Sequence, residues 1–164
     1  MSKPETQPLI LFVCLGNICR SPLAEGIFLH MAKERGLDAL VVDSCGTGGW
    51  HEGEGPDRRA MAVAKQRGVH LPSRARQVRG ESDFTRFTHI IAMDASNVEN
   101  LLAMGAPKER VRLMCSYDPA HAGKDAPDVP DPYYGGDDGF DKVFDMLVAA
   151  CEGLLDEIEG KARA

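Results

Sequence analysis

Residues 9–22 read Leu9-Ile10-Leu11-Phe12-Val13-Cys14-Leu15-Gly16-Asn17-Ile18-Cys19-Arg20-Ser21-Pro22. The first five are a continuous apolar run, the pattern of a strand buried on both faces. The run stops at a short segment holding Gly16 and Asn17, two residues that let a backbone curl. Ser21 followed by Pro22 reads as a helix start, with Ser21 as N-cap and Pro22 in the first helical position. Ala24, Ile27, Phe28 and Met31 then recur at helical spacing, and Gly36 stands where that helix would stop. The stretch therefore encodes a strand, a tight loop and a helix.

The same alternation continues downstream. Residues 39–43, 88–93 and 110–114 have the apolar character of strands. Residues 57–67, 96–104 and 139–159 carry helical periodicity, with Gly68 and Gly105 as stops for the first two. A loop rich in Asp, Pro and Gly spans 117–137. Strands alternating with helices imply right-handed parallel βαβ units. The expected fold is a single α/β domain over 9–160: a four-stranded parallel sheet flanked by helices on both faces. Residues 1–8 are expected to be a flexible N-terminal segment. Ligands of such sheets bind beyond the carboxyl ends of the strands, which makes the loop after the first strand the prime position.

Composition narrows the function classes. The chain has 164 residues, 25 acidic and 19 basic side chains, and a formal net charge of −6. That balance argues against a general nucleic-acid binder. No apolar run is long enough to span a membrane, and the N-terminus lacks a signal-peptide pattern. Cys14, Cys19, Cys45, Cys115 and Cys151 make an odd set without disulfide-scaffold spacing, so free thiols in the cytoplasm are expected. His30, His51, His70, His89 and His121 are scattered; no metal site and no cofactor are expected.

The loop itself points to anion chemistry. A short loop curling into a helix N-terminus aims several backbone N–H groups at one point, beside the positive end of the helix dipole. Arg20 adds a planar fork that matches two phosphate oxygens. Cys14, at the start of the loop, faces the same donors, which favour its thiolate. Ser21 can donate to that sulfur, cap the helix, or alternate.

The stretch Val13–Pro22 resembles the phosphate-binding loop of the low-molecular-weight protein tyrosine phosphatases. The likeness continues in Asp43-Ser44-Cys45-Gly46-Thr47, Trp50-His51, Ala75-Arg76-Gln77, Ala92-Met93-Asp94-Ala95-Ser96-Asn97 and Asp128-Val129-Pro130-Asp131-Pro132-Tyr133-Tyr134-Gly135. The resemblance implies a phosphotyrosine and aryl phosphate hydrolase. Cys14 would be the nucleophile, Arg20 and the loop Leu15, Gly16, Asn17, Ile18 and Cys19 the phosphate cradle, and Ser21 a support for the thiolate. Phosphate or similar oxyanions would inhibit.

Phosphoryl transfer to a thiolate needs a proton donor for the leaving oxygen. Asp125, Asp128, Asp131, Asp137 and Asp138 share one loop, and residue chemistry alone leaves the choice open. The resemblance assigns the role to Asp131, with Asp128 as the alternative. Trp50, Tyr133 and Tyr134 lie outside the apolar periodic segments and can stack on a flat ring; the family likeness puts Trp50 and Tyr133 on either side of it. It further implies phosphorylation of Tyr133 or Tyr134, a reversible Cys14–Cys19 disulfide, and a cognate tyrosine kinase among the phosphotyrosine-bearing partners. Cys45, Cys115 and Cys151 read as core residues, and His51 borders the site.

One departure stands out. Many relatives carry a His just before the Ala-Arg-Gln block that bonds the loop Asn; here Ser73 takes that place. Three other functions fit the residues less well. Arsenate reduction needs a further cysteine relay, and no Cys occurs between Cys45 and Cys115. Protein-arginine phosphatases commonly have Thr where Ile18 stands. A binding-only module needs neither Cys14 nor Asp131.

Overall fold

The computed structural model describes residues 7–37, 39–121, 125–134 and 138–160. Four parallel strands form one sheet: β1 (Leu9–Cys14), β2 (Val41–Gly46), β3 (His89–Ala92) and β4 (Val111–Leu113), in the order β2-β1-β3-β4. Among the described residues, five α-helices accompany them: α1 (Arg20–Glu34), α2 (Arg58–Gln66), α3 (Gly80–Arg86), α4 (Ala95–Ala103) and α5 (Gly139–Ile158). Residues 1–6 of the expected N-terminal segment lie outside the described residues.

Burial explains the central strand. Ile10 and Phe12 pack on one face with Phe28 of α1 and Val143, Leu147 and Leu154 of α5. Leu11 and Val13 face the other way, onto Phe84 of α3, Phe87, and Leu101 of α4. Successive side chains of a strand point to opposite faces, so a run apolar at every position is what two covered faces require. With β2 on one side and β3 on the other, the loop leaving β1 emerges between two neighbouring strand ends.

Several boundaries differ from the sequence reading. β2 runs over 41–46 rather than 39–43. Its register is imposed by β1, with Leu9 opposite Val41 and Cys14 opposite Gly46, and this pairing draws the polar Asp43 and Ser44 into the strand. α1 begins at Arg20 after Cys19, so Ser21 is not the N-cap and Pro22 sits third in the helix. α3 has too few apolar residues to show a period; Asp83 accepts the Arg79 amide at 2.6 Å, and Phe84 anchors the helix in the core. Gly36 does end α1, with a φ of +75°.

Candidate active site

The segment between β1 and α1 closes into a bowl whose floor is Cys14, 3% exposed. Its curl is carried by Asn17, at φ +58°, the one non-glycine residue with positive φ among those described. Gly16, expected to provide the turn, does not. Its lack of a side chain instead makes room for the His51 ring, which a Cβ would approach to 3.2 Å. Gly46 at the end of β2 is equally constrained: a Cβ there would stand 2.7 Å from the Leu15 carbonyl oxygen.

A chain of hydrogen bonds fixes the bowl from behind, and its direction can be worked out. The Arg76 amide donates to Asn17 Oδ1 at 3.0 Å. A backbone N–H can only donate, so the other end of the Asn17 side chain is the donor. Nδ2 donates to Ser21 Oγ at 2.8 Å and to Ser44 Oγ at 3.0 Å. Ser44 in turn donates its own hydrogen to Glu25 Oε1 at 2.5 Å. Ser21, having accepted from Asn17, keeps its hydrogen for the Cys14 sulfur at 3.0 Å, nearer than the Cys45 carbonyl at 3.4 Å. The Asn17 amide donates to the same sulfur at 3.3 Å. Of the roles the sequence leaves open for Ser21, the geometry favours the contact with the Cys14 sulfur over capping the helix.

Asn17 is buttressed without a His. The Ser73 hydroxyl has no hydrogen-bond partner among the described residues, while Asn17 is held by Arg76, Ser44 and Ser21. Arg76 is itself fixed by Asp83 at 2.8 Å and Asp43 at 3.0 Å. Burial pushes the Glu25 carboxyl up to about 7, opposed by the Ser44 hydrogen bond, with Asp43 raising it further and Arg76 lowering it.

Arg20 is 2% exposed. Its Nη1 donates to Asp94 Oδ2 at 2.6 Å and to the Val129 carbonyl at 3.0 Å. Asp94 caps α4 through a reciprocal box with Asn97, so the arginine is oriented by a rigid element at the end of β3. Burial opposes the charge on Arg20, but Cys14, Asp94 and Asp131 around it raise its pKa on balance. α1 has no side-chain cap, so no capping side chain takes up its first N–H groups.

Over the bowl opens a cavity of about 410 Å³ lined by Cys14, Leu15, Gly16, Ile18, Cys19, Arg20, Trp50, His51, Asp131 and Tyr133. Asp131 stands 3.6 Å from Arg20 Nη2 and accepts the Tyr133 amide at 3.0 Å. Asp128 does not line the cavity; it accepts the Ala95 amide at 3.0 Å, at the start of α4. Trp50 is 72% exposed and Tyr133 41%. The indole lies against Gly48, where any Cβ would collide with it. The Tyr134 side chain and Asp137 lie outside the described residues.

The cysteines separate by place. Cys19 joins Cys14 at the cavity, and burial pushes its thiol well up, with the Asp57, Cys14 and Asp131 charges adding to the shift. Cys45, Cys115 and Cys151 are core residues; burial raises all three, Cys115 to about 11. Among the described residues, no three His, Cys, Asp or Glu groups stand where they could hold a metal ion.

Four residues of the site carry no role in the sequence reading: Glu25, Ser44, Arg76 and Asp94. Asp94 has a legible signal, a capping Asp directly after an apolar strand. The others become visible only when the sheet order is known.

The fold has close counterparts. The family model for low molecular weight phosphotyrosine protein phosphatase matches residues 9–164. A low molecular weight protein-tyrosine-phosphatase of Streptomyces coelicolor is 50% identical over 162 residues, covering 93% of this chain and 97% of its own. The crystal structure of a protein tyrosine phosphatase from Entamoeba histolytica superposes with a TM-score of 0.85 at 39% identity, covering 94% and 98% of the two chains. A Drosophila arginine phosphatase superposes with a TM-score of 0.81 at 33% identity, covering 91% and 97%. With nearly its whole length matched, this chain belongs to the low molecular weight phosphotyrosine protein phosphatases and is a hydrolase of that family.

Proposed function

We propose that the enzyme hydrolyses phosphotyrosine in proteins, and small aryl phosphates, through a phosphocysteine on Cys14. The observation that carries this reading is the Cys14 sulfur on the floor of the cavity, receiving hydrogen bonds from Ser21 and the Asn17 amide. In the first step the thiolate attacks phosphorus and the bond to the phenolic oxygen breaks. Asp131, protonated, delivers its proton to that oxygen. In the second step water attacks the phosphocysteine, Asp131 takes the water's proton, and the thiolate departs toward the Ser21 hydroxyl. Arg20 and the loop amides hold the equatorial oxygens through both transition states. The product, inorganic phosphate, matches the same cradle and would compete with substrate.

The walls favour a flat ring. Trp50 and Tyr133 present aromatic surfaces to the cavity, and Ile18 adds an aliphatic one. Phosphoarginine is the rival substrate, since a Drosophila arginine phosphatase shares the fold at 33% identity. Comparing kcat/KM on one peptide carrying phosphotyrosine or phosphoarginine tests the reading. Preference for phosphotyrosine by about 100-fold is expected; preference for phosphoarginine would overturn it.

No helix among the described residues is long and apolar enough to cross a membrane. Five free thiols fit a reducing cytoplasm, and the net charge of −6 favours neutral or basic surroundings for the phosphotyrosine. A substrate-trapping pull-down with Cys14→Ser would identify the protein partner, a cognate tyrosine kinase being the first candidate. Cys19 beside Cys14 in one cavity supports a protective disulfide. Mass spectrometry after mild peroxide should show a Cys14–Cys19 crosslink; its absence removes this part of the proposal.

A further inference from the structure

The segment carrying Asp131 is tied to the body by Val129, whose amide donates to the Met93 carbonyl at 2.8 Å and whose carbonyl accepts from Arg20. A second anchor lies beyond Asp131. Arg59, in the first turn of α2, donates through Nη1 to the Tyr133 carbonyl at 3.3 Å. Its guanidinium carbon is 5.2 Å from the Tyr133 ring centroid and 4.8 Å from that of Phe140, at the start of α5. The other edge of the same fork is held by Asp57, through Nε at 3.1 Å and Nη2 at 3.2 Å. Asp57 in turn donates its amide to the Ile18 carbonyl, inside the phosphate loop, at 2.8 Å. The Tyr133 amide donates to Asp131.

A continuous path therefore runs from the phosphate loop at Ile18, through Asp57 and Arg59, to Tyr133 and Asp131. We propose that Arg59 is a positioning residue that clasps the acid-bearing turn to the phosphate loop, setting the place of Asp131 and Tyr133 above Cys14. Arg59 does not line the cavity, so it acts through those two residues rather than on the phosphate. A planar fork suits this position, because it holds a carboxylate edge-on while its face covers a ring, which an ammonium cannot do. The inference rests on the reading of Asp131 as general acid.

Leaving-group dependence separates the two claims. Phenyl phosphate expels a phenol of pKa about 10, like tyrosine, and needs the acid; p-nitrophenyl phosphate needs it far less. For Arg59→Met, kcat/KM should fall about tenfold on phenyl phosphate and no more than about twofold on p-nitrophenyl phosphate. Alkylation of Cys14 by iodoacetate, which reports the phosphate loop, should stay within about twofold of wild type. Arg59→Lys should shift selectivity in the same direction by less, and serves if the Met variant folds poorly. In an Asp131→Asn background, Arg59→Met should add less than about twofold.

Equal losses on both substrates, unchanged selectivity in both Arg59 variants, or a full tenfold loss persisting without Asp131 would each overturn the clasp. Asp131→Asn alone reports on the acid. If it affects both substrates equally, the acid assignment fails and the clasp with it; if it is selective and Arg59→Met is not, only the clasp fails.

Discussion

The two sides of the cavity are built differently. The side proposed to hold phosphate is buried and held many times over. Cys14, Asn17, Ser21 and Arg20 are each at most 3% exposed, and every one is bonded to an element at the end of a neighbouring strand or to a residue that is. The side that would receive the leaving group is half in solvent: Trp50 rests on its own loop, and Asp131 and Tyr133 sit in or beside the single helical turn over Pro132–Tyr134. Transition-state charge builds on phosphate oxygens and needs donors that do not reorganise. A proton donor and an aromatic slot must admit a peptide and release it, and elements that move are drawn from the less stable parts of a fold. On the proposed mechanism, rigidity follows the phosphorus and not the substrate as a whole.

The sharpest way to break this contrast is Arg20→Lys. The charge stays, but the fork on Asp94, Val129 and phosphate is lost. A fall in kcat/KM on the order of 10²–10³ is expected by steady-state kinetics on an aryl phosphate, with leaving-group dependence unchanged. Next comes Asn17→Ala. Alanine resists the left-handed conformation, and Ser21 and Ser44 lose a donor. Stability should drop by about 2–3 kcal/mol in urea unfolding, with at least about tenfold loss of activity. Asn17→Gly should recover part of the stability but little of the activity. If it recovers both, the network matters less than the turn.

On the open side, Trp50→Ala should raise KM for aryl phosphates a few-fold and leave kcat nearly unchanged, about 1 kcal/mol of stacking. A large fall in kcat would move Trp50 to the rigid half.

A last effect, on stability rather than turnover, concerns Glu25. Its folded pKa of about 7 lies above the ordinary value of 4.5, so the fold binds its proton more tightly than the unfolded chain does. The stability this contributes is full below about pH 4.5 and is lost as pH rises through about 7. Glu25→Gln still accepts from Ser44 and removes this dependence. Between about pH 5 and 8 the variant should lose less stability than wild type, by on the order of 2 kcal/mol. Parallel stability curves for the two proteins would contradict it.

What residues alone reveal follows the same divide. The loop after β1 stands out in the sequence because its chemistry is contiguous: a buried run, a cysteine, a curl and an arginine at a strand–helix junction. The supports behind it do not. Ser44 is an ordinary serine until β1 pairs with β2, and Glu25 is an ordinary helical carboxylate until Ser44 stands 2.5 Å away. Ser21 resembles a cap because a Ser-Pro pair usually is one; its hydroxyl is drawn instead to the sulfur. α3 leaves no periodic trace because its stability comes from Phe84 and an Asp83 contact rather than from an apolar stripe. On the open side, local chemistry cannot rank five aspartates. Of the two weighed above, the fold commits Asp128 to the start of α4 and leaves Asp131 at the cavity.

The central claim is that Cys14 carries the phosphoryl group. Rapid acid quench of the enzyme turning over an aryl phosphate, followed by peptide mass spectrometry, tests it directly. One phosphoryl group is expected on the peptide containing Cys14, absent from Cys14→Ser. Full turnover by Cys14→Ser, or a phosphoryl group on another residue, would contradict it.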